Sequence, residues 1–220
     1  YYDFSVHADG SKHSASHPDF ERGCEEASAG EEPTFFPCEG QTGLVEAMLG
    51  DDGSPVCTGI GSIYMPNCTT FEQWFKDVPE VNQVITGRTI SFTGVQPLPP
   101  YGWESGEYSF QSTAFFPIDS EYPNEAPDFY NQTYTAETVV GFGNQGREQN
   151  FHFCSKIHTA FEFYGFGKFE FTGDDDVWVF INNRLAIDLG GVHNERSLAV
   201  TLAEFCPEDG GCLQNNTEYQ

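Results

Sequence analysis

The sequence predicts an all-β fold, a β-sandwich or jelly roll with a disulfide-stapled loop insertion and one short helix. Three observations carry this. Short segments alternate apolar and polar residues with the two-residue period of a strand. Gly, Asn and Pro turn signals separate them. The 21 Phe, 10 Tyr and 3 Trp residues can fill a core between sheets. The 220 residues hold no internal repeat, so the expected organisation is a single domain over 1–220.

The elements follow in order. "YYDFSVHA" places Tyr2, Phe4, Val6 and Ala8 on one strand face. Residues 24–70 are rich in Gly, Pro, Cys and acids and read as a stapled insertion. "TTFEQWFKDVPEVN" reads as the helix. Thr70 is the expected N-cap and Gln73 its capping-box partner. Phe71, Trp74 and Phe75 share a face, and Pro79 stops the helix. Beyond residue 85 strands and turns alternate. "QNFHFCSKI" puts Phe151 and Phe153 on one side and Cys154 outward, and "GKFEFTG" turns Phe169 and Phe171 inward. "VWVFI" is apolar on both faces, the pattern of a central strand. Asn182-Asn183 makes a two-residue hairpin turn, and "RLAIDLG" is the return strand.

Charge narrows the function classes. Nine Lys and Arg face 34 Asp and Glu, a formal net charge of -25. Nucleic acid is thereby excluded as a partner. No apolar run reaches the length of about 18 residues that a membrane helix needs. Seven cysteines without a paired CxxC zinc spacing, with Asn-x-Thr sequons at Asn67, Asn131 and Asn215, point to an extracellular, oxidising setting. Cys24, Cys38, Cys57 and Cys68 are expected to pair among themselves, Cys206 with Cys212 across "CPEDGGC", leaving Cys154 as the odd thiol.

Asp174, Asp175 and Asp176 stand together at the start of "VWVFI". Successive strand residues face opposite ways, so adjacent carboxylates converge only where the chain bends sharply. A divalent cation would cancel their repulsion. Ca²⁺ suits such a site, because it accepts carboxylate, carbonyl and water oxygens in loose geometry. The hairpin brings "DLGGVHNE" alongside, where Asp188 and Asn194 offer side-chain oxygens and Gly190-Gly191 accessible carbonyls. His193 is expected to make a structural hydrogen bond, since Ca²⁺ prefers oxygen. The aromatics of "VWVF" are expected in the core.

The block "FTGDDDVWVFINNRLAIDLGGVH" closely resembles the signature of the fibro-slime domain family, a branch of the PA14 superfamily. "HPDFE", "LGDDGSPV", "FEQWFKDVPEVN" and "FFPID" fall in that family's order, so the likeness runs from about Asp3 to Phe205. It implies a PA14-type β-sandwich in a secreted or cell-surface protein. In PA14 lectins of the flocculin type two adjacent aspartates joined by a cis peptide bind Ca²⁺; these match Asp174 and Asp175. Asp176 stands where the superfamily often has Gly, so the metal carries over better than sugar binding. Members of the family usually continue with further strands beyond this point, so the expectation is either that the sequence is a fragment or that another copy supplies the strand, with Tyr2, Phe4 and Val6 as donor residues. The expected function is a non-catalytic, Ca²⁺-binding structural module of a surface filament or matrix. A Ca²⁺-dependent glycan-binding adhesin is the alternative. A glycoside hydrolase is less favoured, since no spacing singles out a carboxylate pair.

Overall fold

The protein is described by a computed structural model at residues 1–4, 8–9, 17–20, 25–26, 34–35, 39–60, 62, 65, 67–87, 89–95, 107–113, 115–118, 150–208 and 210–220. Val6, Cys24, Cys38 and Asn131 lie outside these residues. The fold is all-β; among the described residues there is one α-helix, of four residues, and a 3-10 turn at Leu202–Glu204. Contacts group the chain into two compact units, each discontinuous in sequence: residues 1–17 with 77–155, and residues 18–76 with 156–220.

The first unit is built on a three-stranded antiparallel sheet. Strand β1 (Tyr2–Asp3) lies between β5 (Gln83–Val84) and β8 (Phe153–Cys154), with Tyr2 opposite both Val84 and Cys154. The segment expected to be a donor therefore serves here as a strand of its own unit. Phe4 continues the ladder by donating its N–H to the His152 carbonyl at 2.9 Å, and it is 1% exposed. A second ribbon pairs β6 (Thr93–Val95) with β7 (Glu107–Ser109).

The alternation read in "QNFHFCSKI" holds, but its phase is opposite to expectation. His152 and Cys154 are buried, while Phe151 is 39% exposed. The reason is a buried polar network. Asn150 donates from Nδ2 to Asp3 at 2.9 Å and accepts the His152 N–H at 2.8 Å. That network turns the His152–Cys154 face inward, and the Phe151 ring packs edge-on against Phe116 instead.

In the second unit β4 (Glu39–Gln41), β11 (Val177–Ile181) and β12 (Arg184–His193) form a sheet in the order β11-β12-β4. Asn182 and Asn183, at φ 52° and 65°, make the two-residue turn between β11 and β12. Among the described residues β11 pairs only with β12, so it lies at a sheet edge and not at the centre. Ribbons pair β10 (Lys168–Gly173) with β13 (Arg196–Thr201), β9 (Phe161–Phe163) with β14 (Thr217–Tyr219), and β2 (Glu25–Glu26) with β3 (Thr34–Phe35). On β10, Phe169 is 40% exposed where the alternation predicted it inside. Its cross-strand partner is Val200 on β13.

The helix α1 (Cys68–Phe71) starts earlier than predicted. Its N-cap is Asn67, whose side chain accepts the Thr70 N–H at 3.0 Å. Thr70 is instead the third helical residue, and its hydroxyl donates to the Asp19 carboxylate at 2.9 Å. The helix delivers Phe71, and the turn that follows it Trp74, to an aromatic core. Phe71 is fully buried, with ring centroids 5.0 Å from Trp74 and 5.6 Å from Trp178. The core reading of the "VWVF" aromatics thus holds for Trp178. Disulfides join Cys57 to Cys68 and Cys206 to Cys212. Cys57–Cys68 lies within the predicted stapled set and ties the helix start to the preceding loop.

Candidate functional site

The site is built where β11 begins and β12 ends. Backbone pairing sets Trp178 opposite Asp188 and Val177 opposite Leu189, so the residues just before β11 face Gly190, Gly191 and His193. β4 continues the same sheet, with Gly190 opposite Gln41 and His193 opposite Glu39.

The two glycines matter for reasons other than accessible carbonyls. A Cβ on Gly190 would lie 2.7 Å from the Trp178 ring and 2.8 Å from Leu44. Only a hydrogen at that position allows the strand to pass over the indole. Gly191 has φ 73°, which a side chain would strain.

The three aspartates differ in setting. Asp174 and Asp175 are exposed, and Asp176 is half-buried. The Gly191 N–H donates to Asp176. Removal from water nevertheless dominates and pushes the Asp176 pKa up to about 6, with the His193 charge opposing and Asp175 adding to the rise. Asp175 keeps solvent on one side, yet the protein crowds its carboxylate. Desolvation first and Asp174 second raise its pKa, and His193 again opposes. These couplings place Asp175, Asp176 and His193 in one electrostatic neighbourhood.

Asp188 has another occupation. Its Oδ1 accepts the Trp178 indole N–H at 3.0 Å and its Oδ2 the Gly43 N–H at 2.6 Å. Both oxygens serve the packing of β4's following loop and β11 on β12. The sequence reading takes Asp188 as an ion ligand; the indole donor comes from its cross-strand partner, a contact that pairing register could have suggested. Asn194 is exposed, and its main-chain carbonyl lies 2.9 Å from His193 Nδ1. A carbonyl only accepts, so Nδ1 carries the proton. His193 is 4% exposed, and its Nε2 is buried without a hydrogen-bond partner.

What the corner can do chemically follows from this donor set. It offers carboxylate oxygens, main-chain oxygens and one imidazole nitrogen, all next to crowded negative charge. Among the described residues no three His, Cys, Asp or Glu side chains converge closely enough to hold an ion by themselves. A hard cation that fills its shell with carbonyls and water fits such a corner better than one demanding a closed cage of side chains. No described helix is long and apolar enough to cross a membrane. Of the sequon asparagines, Asn67 and Asn215 are exposed.

Comparison with known proteins finds relatives in Dictyostelium discoideum. Protein psiR is 38% identical over 164 residues, covering 74% of this chain and 15% of psiR. Protein psiD is 37% identical over 171 residues, covering 74% of this chain and 30% of psiD. Protein psiF is 34% identical over 185 residues, covering 79% of this chain and 24% of psiF. The chain therefore spans less than a third of the length of these relatives. No protein-family model and no solved structure matches it.

Proposed function

We propose that this chain is a non-catalytic, extracellular structural module of the fibro-slime type whose Asp174–Asp176 corner holds Ca²⁺. The observation that carries this reading is the crowding of Asp175 and Asp176 against the Gly190–His193 end of β12. Two desolvated carboxylates, one with a single main-chain donor, are a costly arrangement in the absence of positive charge. Asp175 and Asp176 would hold the ion, with Asp174 and oxygens of the 190–194 segment available to its shell. The ion would supply charge neutralisation and would rigidify the start of β11. The Cys57–Cys68 and Cys206–Cys212 disulfides fit an oxidising, secreted environment.

The test is metal analysis of dialysed protein together with melting in EDTA and in excess Ca²⁺. Calcium retention and a lower melting temperature in EDTA are expected; absence of both sinks the reading.

A glycan-binding role is the second reading, favoured by the exposure of Asp174 and Asp175. Sugar hydroxyls could complete an ion's shell from that side. Chelator-sensitive binding on a glycan array would support it. Self-association by strand exchange stays part of the proposal, but Tyr2 and Asp3 already pair on both sides within their own unit. The edge of β11 is the more available acceptor. Sedimentation of concentrated protein tests it, and a monomer at every concentration rejects it.

A further inference from the structure

The Asn67–Thr69 sequon carries a cysteine at its middle position, and that cysteine is bonded to Cys57. Asn67 and Thr69 are exposed, so the acceptor amide and the hydroxyl that a glycosylating enzyme reads both reach solvent. The amide is also oriented. Its Oδ1 accepts the Thr70 N–H at 3.0 Å as the cap of α1, and Nδ2, the atom that takes the sugar, is the end that the cap does not use. A glycan on Nδ2 leaves Oδ1 to the cap, so the folded chain tolerates it. Attaching it is a different matter, because the enzyme must draw the whole sequon into its cleft. Cys68 and Thr69 are helical, the Glu72 N–H donates to the Cys68 carbonyl at 2.9 Å, and the disulfide ties Cys68 to a residue 11 positions back. Hydrogen bonds open in local fluctuations, but an S–S bond opens only by exchange with a thiol. The Asn215–Thr217 sequon differs. Its middle residue is Asn216, and β14 holds Thr217 by noncovalent pairing with Phe163.

We propose that Asn67 is an N-glycosylation site that shuts when Cys57–Cys68 forms, so that two modifications compete for one short segment. In the first, Asn67 Nδ2 attacks the anomeric carbon of an oligosaccharide carried on a polyprenyl pyrophosphate. The C–N bond forms, the bond from that carbon to the pyrophosphate oxygen breaks, the lipid pyrophosphate leaves, and Nδ2 gives up one proton. In the second, the Cys57 and Cys68 thiols lose two protons and two electrons to a protein disulfide, which is reduced to two thiols. Glycan first permits the disulfide afterwards; disulfide first excludes the glycan. The inference draws on the extracellular part of the reading above and is independent of the cation.

The experiment expresses the whole chain, behind a secretion leader, in a glycosylating eukaryotic cell. Occupancy at Asn67 and Asn215 is read by peptide mass spectrometry after enzymatic deglycosylation in heavy-oxygen water. Wild type is compared with Cys57→Ser, which keeps the Asn67 sequon intact. Asn67 is expected to be partly occupied in wild type and nearly fully occupied in Cys57→Ser, with Asn215 unchanged. Equal occupancy of Asn67 in the two chains overturns the competition. So does an equal rise at Asn215, which would assign the effect to general misfolding. Asn67 bare in both chains overturns the site itself, while a glycan on Asn215 leaves the extracellular reading standing. Should Cys57→Ser fail to fold, wild type made during a brief pulse of dithiothreitol decides. Asn67 occupancy is expected to rise in chains made during the pulse, and an unchanged occupancy refutes the inference.

Discussion

The second unit contains two kinds of aspartate. In the aromatic core, Asp19 accepts the Trp74 indole N–H at 2.9 Å and the Thr70 hydroxyl at 2.9 Å, and Asp188 accepts the Trp178 indole N–H and the Gly43 N–H. Each of these carboxylates has a donor for each oxygen. At the corner before β11, Asp175 and Asp176 are crowded together, and desolvation raises the pKa of both. The difference teaches what a carboxylate needs when it leaves water. Supplied with N–H and O–H donors, it becomes a clamp between strands. Removed from water beside another carboxylate, its charged form is disfavoured and its pKa rises.

The strongest way to break the comparison is to remove a clamp. Asp188→Ala strands the Trp178 and Gly43 N–H groups, and the expected loss is about 3–5 kcal/mol in chemical denaturation. A loss below about 1 kcal/mol would show that water replaces the carboxylate freely.

A buried group that must stay neutral makes the next contrast, in the first unit. His152 is 3% exposed, and burial, with the His17 charge second, lowers its pKa to about 4. His17 is the charged neighbour that opposes its proton, and the His152 main-chain N–H is held by Asn150, which also donates to Asp3. Unfolded, the ring binds a proton near its ordinary 6.5. Between these values the unfolded chain holds the extra proton, so stability is full above about pH 6.5 and falls as pH drops toward 4, by up to about 3 kcal/mol. Melting curves across that window should show the decline, and His152→Gln should flatten it.

Calcium sharpens the comparison at the corner. At 100 times its dissociation constant an ion that binds only the folded state adds about 2.7 kcal/mol. For a chain of this size that is a rise of roughly 5–10 °C in melting temperature. Asp175→Ala should abolish the rise, and Asp188→Asn should leave it in place.

The smallest expected effect has the opposite sign to the first. In EDTA at pH 7, Asp176→Asn removes a charge that the fold disfavours, and stability should increase by about 1–2 kcal/mol. A decrease measured by denaturant titration would mean that the Gly191 hydrogen bond outweighs desolvation.

Much of this was legible in the chain. The β11–β12 hairpin followed from "VWVFINNRLAIDLG", because Asn tolerates the positive φ that a two-residue turn requires. Cys206–Cys212 followed from their closeness in sequence. That three like charges stand in a row was plain from the sequence; that they are crowded was not, because adjacent strand residues face opposite ways. The helix cap was misplaced because Asn67 and Thr70 are both good caps, and local sequence does not say which one Asp19 will engage.

Those legible features share a physical cause: each depends on residues a few positions apart, where backbone sterics and period-two alternation act directly. The sequence by itself therefore determined the strands, the hairpin, the short disulfide and the cluster of like charge. Only the tertiary structure decided which face of "NFHFC" is inside, because the Asn150–Asp3 network reaches across 147 positions. It alone decided that Gly43, 145 positions away, claims Asp188, and that Asp175 and Asp176 lose water beside His193. Burial and donor supply come from groups distant in the chain, and no local pattern encodes them.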